Sequence, residues 1–414
     1  MNIVITDIFR EDSLLYWLTL YRPASEFRIG GFSLRERLEK IVGKESVYYM
    51  LEDPRQASYI EKRVGLASQE LPDNNFLIIN SRLIASFNEL ENIIKFMEKR
   101  PVGSAVYKDT TLLIGKLNKD HIMESQNVTK EIKHIDYPTA NIFIYKHPWE
   151  FIKIQPIIIS DDVFSKYIKN NFNILKPSRG DWPTLISKDG LFIEKFVYLD
   201  TSKGPIIMCD NVEVNAFSRI MGPSVIRENS IILSSLIRDN VAIGPTCKIG
   251  GEIASSIIDG YSNMAHQSYL GHSFVGEWVN IGAFTVTSDL KNTYGPIKVD
   301  IEGNRVDTGL IKLGSFICDY VKTSISTTIF AGKFIGIFSH VMGLVYDNIP
   351  PFTMWNGYTR IGYELDIDSA IKTQERMYNR RGVKQLKEEI SYIRFLYEAT
   401  SQYRENISKE RFQI

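Results

Sequence analysis

Aliphatic residues recur every six positions through much of the second half of this chain. Val214, Ile220, Ile226 and Ile232 form one run, Ile237, Ile243 and Ile249 another, then Val275 and Ile281, then Ile311, Ile317, Ile329, Ile335 and Val341, with Thr323 in the vacant slot. A helix repeats at about 3.6 residues and a flat strand at about two, so neither explains the pattern. It is the period of a left-handed parallel β-helix, in which each step makes one side of a triangular coil and turns its aliphatic side chain inward. A β-sandwich whose alternation falls on sixes is the alternative. Asn and Gly at the ends of steps, as in Asp239-Asn240 and Ile243-Gly244, suit the sharp corners of such a coil. The rhythm breaks between Asp289 and Asp307. A long excursion has to leave the stack as a loop, and a ligand site beside it is expected.

The flanking sequence reads differently. Ile3-Val4-Ile5 and Phe76-Leu77-Ile78-Ile79 are short buried-strand patterns, while Ser33–Ile41 and Glu89–Glu98 have helical spacing. That alternation predicts an α/β, Rossmann-like domain over residues 1–180, closed by the breaker-rich Lys176–Pro183. The solenoid then spans 181–350. Residues 351–414 form a helical C-terminal tail, with Leu386, Ile390, Ile393 and Leu396 among dense charges. The tail reads as a cap or oligomer contact, or more simply as a solvated amphipathic segment.

With 49 Lys+Arg against 49 Asp+Glu there is no net charge to attract nucleic acid or an anionic membrane, so any phosphate must be met locally. Three widely spaced cysteines favour a reducing compartment over a disulfide scaffold. No basic leader opens the chain, and no apolar run approaches the roughly 18 residues of a spanning helix. A cytoplasmic, soluble protein is expected.

None of the six histidines lies in a metal-ligand spacing. The densest polar stretch, Gly260–Gly276, holds His266 and His272 just before the excursion. A neutral imidazole beside a cleft takes a proton from an amine or hydroxyl near pH 7, so either histidine is a candidate general base.

Here His266-Gln-Ser-Tyr269-Leu-Gly, followed by Val279-Asn280-Ile281-Gly282-Ala283, resembles the acyltransferase half of the bifunctional N-acetylglucosamine-1-phosphate uridylyltransferase/glucosamine-1-phosphate N-acetyltransferase family. The longer text, including Ser202-Lys-Gly-Pro and Ser288-Asp-Leu-Lys-Asn-Thr-Tyr294, is closer still to a variant branch of putative sugar nucleotidyltransferases common in Bacteroidetes. The resemblance implies that His266 is the general base, that Tyr269, Asn280, Asp289 and Lys291 contact the sugar, and that Ala283 lies beside the acetyl group of acetyl-CoA. It also implies a homotrimer with sites between neighbouring coils. Phe284-Thr285 and Asp289-Leu290 stand where the family has Gly-Thr and Asn-Tyr. Phe284 would narrow the thioester tunnel, and Asp289 would set a carboxylate where the amino sugar sits.

The first domain lacks the usual Gly-x-Gly-Thr-Arg loop. Its Arg22-Pro, Arg28-Ile-Gly30-Gly31 and Arg35-Glu-Arg-Leu-Glu-Lys40 resemble the signature of the same variant branch. By that likeness Arg22, Arg28, Gly30, Gly31, Arg35 and Lys40 bind nucleotide phosphates, glycines admitting backbone amides and guanidinium forks neutralising charge. Nucleotidyl transfer of this kind uses Mg2+. The acidic ligand expected after the central strand is replaced by Asn80, which leaves Asp161 and Asp162 as candidates. The implied activity joins a nucleoside triphosphate to a sugar 1-phosphate, and transfers an acyl group from a CoA thioester to a sugar. Retention of one activity alone, or a non-catalytic nucleotide-sugar-binding scaffold, are the alternatives.

Overall fold

The computed structural model describes residues 1–7, 15–66, 71–123 and 132–408. The N-terminal apolar runs form a six-stranded sheet in the order Val47–Met50, Ile3–Thr6, Phe76–Asn80, Thr111–Leu117, Ser104–Lys108, Lys133–His134. The first three strands are parallel, and Thr111–Leu117 runs antiparallel to both its neighbours. Ile3, Val4, Ile5 and Phe76–Ile79 are wholly buried, as strands covered on both faces must be. Helix Leu34–Val42 starts at a capping box between Ser33 and Glu36, and helix Phe87–Glu98 starts at Ser86, whose hydroxyl accepts from Glu89 N–H.

The six-residue period becomes a parallel β-solenoid. Its strands stack in two long sheets of nine and eleven, with a further face at Lys322–Thr323, His340–Met342 and Thr353–Asn356. Val214, Ile220, Ile226, Ile232, Ile237, Ile243, Ile249, Val275, Ile281, Ile317, Ile329, Ile335 and Val341 share one buried core. Thr323 fills its slot with the hydroxyl satisfied: it accepts from Gly282 N–H at 2.9 Å and lies 2.8 Å from the Thr285 hydroxyl. Ile311 is the exception. It is 54% exposed, because it lies on the return of the excursion rather than in a coil. That excursion is an antiparallel hairpin, Lys298–Ile301 with Asn304–Asp307. The stack also begins before residue 181, since Phe172–Leu175 pairs antiparallel with Thr184–Ser187.

Corner chemistry departs from the sequence reading. Asn240 has φ +63°, as expected, but Gly244 does not have a positive φ. A Cβ on Gly244 would come within 2.5 Å of Gly260 N, so that glycine serves close coil-to-coil contact. Several left-handed corners carry aromatic residues: Tyr261, Trp278, Tyr320, Phe338 and Phe352 all have φ between +56° and +63°. Their rings form a column, Tyr261 on Trp278 at 4.4 Å, Tyr320 on Phe338 at 4.5 Å and Phe338 on Phe352 at 5.2 Å. Stacking and burial offset a corner conformation that costs about 1–3 kcal/mol.

This column docks the rest of the chain. One continuous core runs from Ile3 and Ile79 of the first sheet through Phe274, Trp278, Tyr320 and Phe338 to Tyr378, Ile393 and Leu396 of the tail. The tail helices, Ile367–Asn379 and Lys387–Ala399, are therefore a packed strap and not a solvated segment. Glu389 is fully buried, accepting from the Tyr21 and Tyr378 hydroxyls, and Tyr392 donates to Leu20 O at 2.6 Å. No described helix is long and apolar enough to cross a membrane.

Candidate functional site

The arginines and glycines of the N-terminal signature lie at the junction of the sheet domain and the solenoid, away from any phosphate cradle. Arg22 forks onto Asp319 at 2.8 and 2.9 Å and reaches Asp259 at 3.0 Å. Arg28 meets Asp259 at 3.0 Å, Glu277 at 2.6 Å and Glu36 at 2.9 Å. Arg227, from the solenoid, answers with Glu36 at 2.8 Å and Gly31 O at 2.6 Å. Burial works to raise the Glu36 carboxyl, but Arg227, Arg28 and Arg35 hold it well below the ordinary range. Arg35 is spent on Glu26 and Glu39, and Lys40 lies 4.6 Å over the Tyr167 ring.

Gly30 and Gly31 have φ +72° and +85°, and a Cβ would come within 2.7 Å of Ile158 and 2.4 Å of Val225 respectively. Their amides are aimed at Gln155 and at Arg28 O. The glycines thus let this segment lie flat against the solenoid. The structure engages Arg22, Arg28 and Arg35 with carboxylates in place of the expected phosphate contacts, because buried guanidinium groups need such partners; Gly30 and Gly31 pack against the solenoid side of the junction, and Lys40 is exposed beside Tyr167.

The carboxyl ends of the parallel strands, where α/β sheets hold ligands, open instead into a cavity of about 340 Å3 lined by Asp7, Glu52, Gln56, Tyr392 and Phe395. The last two come from the tail helix. As Mg2+ ligands the candidate residues fit poorly. Asp162 is bidentate to Arg37 at 2.8 and 2.6 Å, Asp161 accepts from Ser86, and the Asn80 amide is used by Leu112 O and Arg82 N–H. Among the described residues no group of three or more His, Cys, Asp or Glu could hold a metal.

The solenoid residues converge better. Backbone pairing runs Lys248 to Asn263 to Asn280 to Lys322 to His340, so these outward side chains stack coil on coil along one face. Asn280 and His266 line one cavity of about 490 Å3 on that face, together with Asn263, Lys248 and Lys322 and the tail's Arg380 and Arg381. His266 stands at the corner where this face turns into the next. Phe284 N–H donates to Gln267 O at 2.7 Å and Ser326 N–H to Ala283 O at 2.8 Å, which sets Ala283 one coil along from His266 at the same corner.

Around that corner Tyr269 donates to Asp289 at 3.1 Å, and His272 Nδ1 lies 2.6 Å from the same oxygen. Burial works to raise Asp289, while these two hydrogen bonds hold it below the usual carboxylate range; burial and Asp289 together push the Tyr269 hydroxyl up to about 12. Lys291 lies in a separate cavity of about 750 Å3 beneath the excursion hairpin, with Lys298, Arg305 and Lys333.

Sequence reasoning passed over Lys322 and the tail arginines. Lys322 directly precedes the Thr323 slot, and aligning outward positions coil by coil would have set it beside Asn280. Nothing in the local sequence brings Arg380 and Arg381 there.

Residues 8–167 match the family model "Sugar nucleotidyl transferase". The chain is 27% identical over 275 residues to a bifunctional sugar-1-phosphate nucleotidylyltransferase/acetyltransferase of Sulfurisphaera tokodaii, covering 66% of this chain and 59% of that protein. It is 33% identical over 102 residues to the bifunctional protein GlmU of Methanocaldococcus jannaschii, covering 25% of this chain and 24% of that one. Among solved structures, a UDP-N-acetylglucosamine O-acyltransferase from Moraxella catarrhalis aligns with 57% of this chain and 99% of its own at 12% identity, with a TM-score of 0.20. The N-terminal part of the chain thus matches a sugar nucleotidyltransferase model, and the chain as a whole is similar to bifunctional nucleotidyltransferase/acetyltransferase proteins, spanning about three fifths of the length of the first of them.

Proposed function

We propose that the chain is a two-site transferase of nucleotide-sugar synthesis. The observation that carries the acyl-transfer half is the corner where His266 and Asn280 share a cavity and Ala283 follows one coil along. In this reading His266 removes a proton from the sugar amine, whose nitrogen attacks the thioester carbonyl of acetyl-CoA. The C–S bond then breaks, and the CoA thiolate leaves and takes a proton. Asn280 orients the sugar. The nucleotidyl half is assigned to the cavity at the strand ends, where the α-phosphate of a nucleoside triphosphate is attacked by a sugar 1-phosphate and pyrophosphate leaves. Asp161 and Asp162 are held by Ser86 and Arg37 and are not assigned to Mg2+ in this reading. Association as a homotrimer is supported by the exposed Phe217, Phe284 and Ile325 on the His266 corner, and a reducing cytoplasmic setting by three buried free cysteines.

The test is a paired assay: pyrophosphate release from nucleoside triphosphates with sugar 1-phosphates, and thiol release from acetyl-CoA with amino-sugar phosphates. His266→Ala is expected to lower thiol release about 10²–10⁴-fold and to leave pyrophosphate release intact. Absence of both products from the unaltered protein would sink the catalytic reading in favour of a binding scaffold. One observation favours a second reading: His272 is the histidine held by a carboxylate, as an oriented base would be. If His272→Ala abolishes thiol release and His266→Ala does not, the base is His272.

A further inference from the structure

The cavity at the strand ends is built from both ends of the chain. On its sheet-domain side Asp7 follows strand Ile3–Thr6 and Glu52 follows strand Val47–Met50, and Glu52 N–H donates to Asp7 Oδ1 at 2.9 Å. Its other wall is helix Lys387–Ala399, which contributes Tyr392, Phe395, Leu396 and Ala399. Their spacing of three and four residues sets them on one face of that helix. The docking of this face is specific. Tyr392 donates to Leu20 O at 2.6 Å and stacks on Tyr59 at 5.9 Å, and the Arg55 guanidinium lies 3.2 Å from the centre of the Phe395 ring. The charges decide what the cavity can hold. Asp7, Glu52 and Asp53 line it, and Arg55, the one cation among the described lining residues, is already forked onto Asp53 at 3.0 and 3.1 Å. Such a lining repels a triphosphate, whereas an uncharged, flat base gains from burial against aromatic and aliphatic side chains.

We propose that the C-terminal helix is part of the nucleotide site: the nucleoside enters the cavity and lies against Tyr392, Phe395, Leu396 and Ala399, and the phosphates remain outside it. The tail then does more than strap the fold together, because it sets the shape of a site whose other wall comes from the first two strands of the sheet. This rests on the assignment of nucleotidyl transfer to that cavity. It adds specificity-determining residues that lie more than 300 positions from the sheet residues they face.

The experiment is calorimetric titration of the full chain with ATP, GTP, CTP and UTP, with the four nucleosides and with inorganic tripolyphosphate, alongside pyrophosphate release and melting temperature. Phe395→Ala removes the ring from the wall and is expected to weaken binding of the preferred nucleotide about ten- to a hundredfold. Ala399 is half-buried at the end of its helix, so Ala399→Trp adds bulk to the cavity without removing a side-chain bond and keeps the fold testable. It is expected to weaken nucleoside and nucleotide alike by about tenfold or more, and to raise KM more than it lowers kcat, at a melting temperature close to the parent's. A nucleoside that competes with its triphosphate, while tripolyphosphate does not, supports the orientation. Nucleotide binding that both variants leave unchanged, or tripolyphosphate that displaces the nucleotide, overturns the proposal and leaves the nucleotidyl-transfer reading to the pyrophosphate assay. Expected binding in a protein that releases no pyrophosphate retains this site and discards that reading alone. No binding of any nucleotide overturns both.

Discussion

Two groups of cations in this molecule behave in opposite ways. At the junction of sheet domain and solenoid, Arg22, Arg28 and Arg227 are buried and each is matched by carboxylates within 3.0 Å. On the solenoid face by the tail, Lys248, Lys322, Arg380 and Arg381 converge on a cavity without a carboxylate among its lining. Arg22 and Arg28 belong to a phosphate-binding signature by resemblance in sequence, and with Arg227 they are a domain clamp in three dimensions. The second has no signature and has the electrostatics of a binding site. A basic residue reports a ligand only when the fold leaves its charge unanswered; when the partner is built in, the residue reports architecture.

Four substitutions would break or sharpen this contrast. Arg22→Met leaves Asp319 and Asp259 without their main counter-charge, and is expected to destabilise by about 3–5 kcal/mol in chemical denaturation. A loss under about 1 kcal/mol would mean the clamp does not hold the two parts together. Gly31→Ala sets a methyl against Val225 in a left-handed backbone and is expected to cost about 1–3 kcal/mol, partly recovered in combination with Val225→Ala. Failure of the double variant to recover anything would place the glycine's role elsewhere.

Lys322→Met should move stability the other way. Burial pushes the Lys322 ammonium down to about 7, and His340 beside it is held neutral, down at about 3, by burial and then by Lys322. Asn280 and His340 flank Lys322 along the ladder, and His266, Lys248, Arg380 and Arg381 share its cavity. Because the folded value lies below the unfolded one of about 10.4, the fold disfavours the charged lysine. That penalty is full below pH 7, shrinks as pH rises and vanishes above the unfolded value. Without ligand, Lys322→Met is therefore expected to stabilise by about 1 kcal/mol at pH 6, with the gain fading toward pH 10. A pH-independent loss in melting experiments would make Lys322 a structural residue. The smallest effect is expected for Arg380→Ala, within about 0.5 kcal/mol of the parent in stability, since it is exposed and makes no ion pair among the described residues. A larger loss would assign this arginine to the strap.

Much of the solenoid was legible. Apart from Ile311, the aliphatic positions read on the six-residue period all lie in its buried core, because an inward position in a repeated coil admits little else. The helices at Ser33–Ile41 and Glu89–Glu98 were equally readable from local spacing and are found at Leu34–Val42 and Phe87–Glu98. Less of the site could be read. His266 and Asn280 were named from a motif whose residues lie close in sequence, and Tyr269 and Asp289 from the same text. Their division around a corner, and the bond of Asp289 to His272, depend on where each coil turns. The tail was read as two helices without a destination, since amphipathic spacing says that one face is covered and not by what.

The sequence by itself determined the repeat and the local helices, because each follows from side-chain volume, backbone preference and hydrogen bonding over a few residues. Only the tertiary structure decided which charges are spent. Arg22 finds Asp319 across 297 positions of chain and Arg381 reaches Asn263 across 118. A guanidinium group is chemically the same in both places, and its role follows from whether a carboxylate from a distant coil is brought within reach.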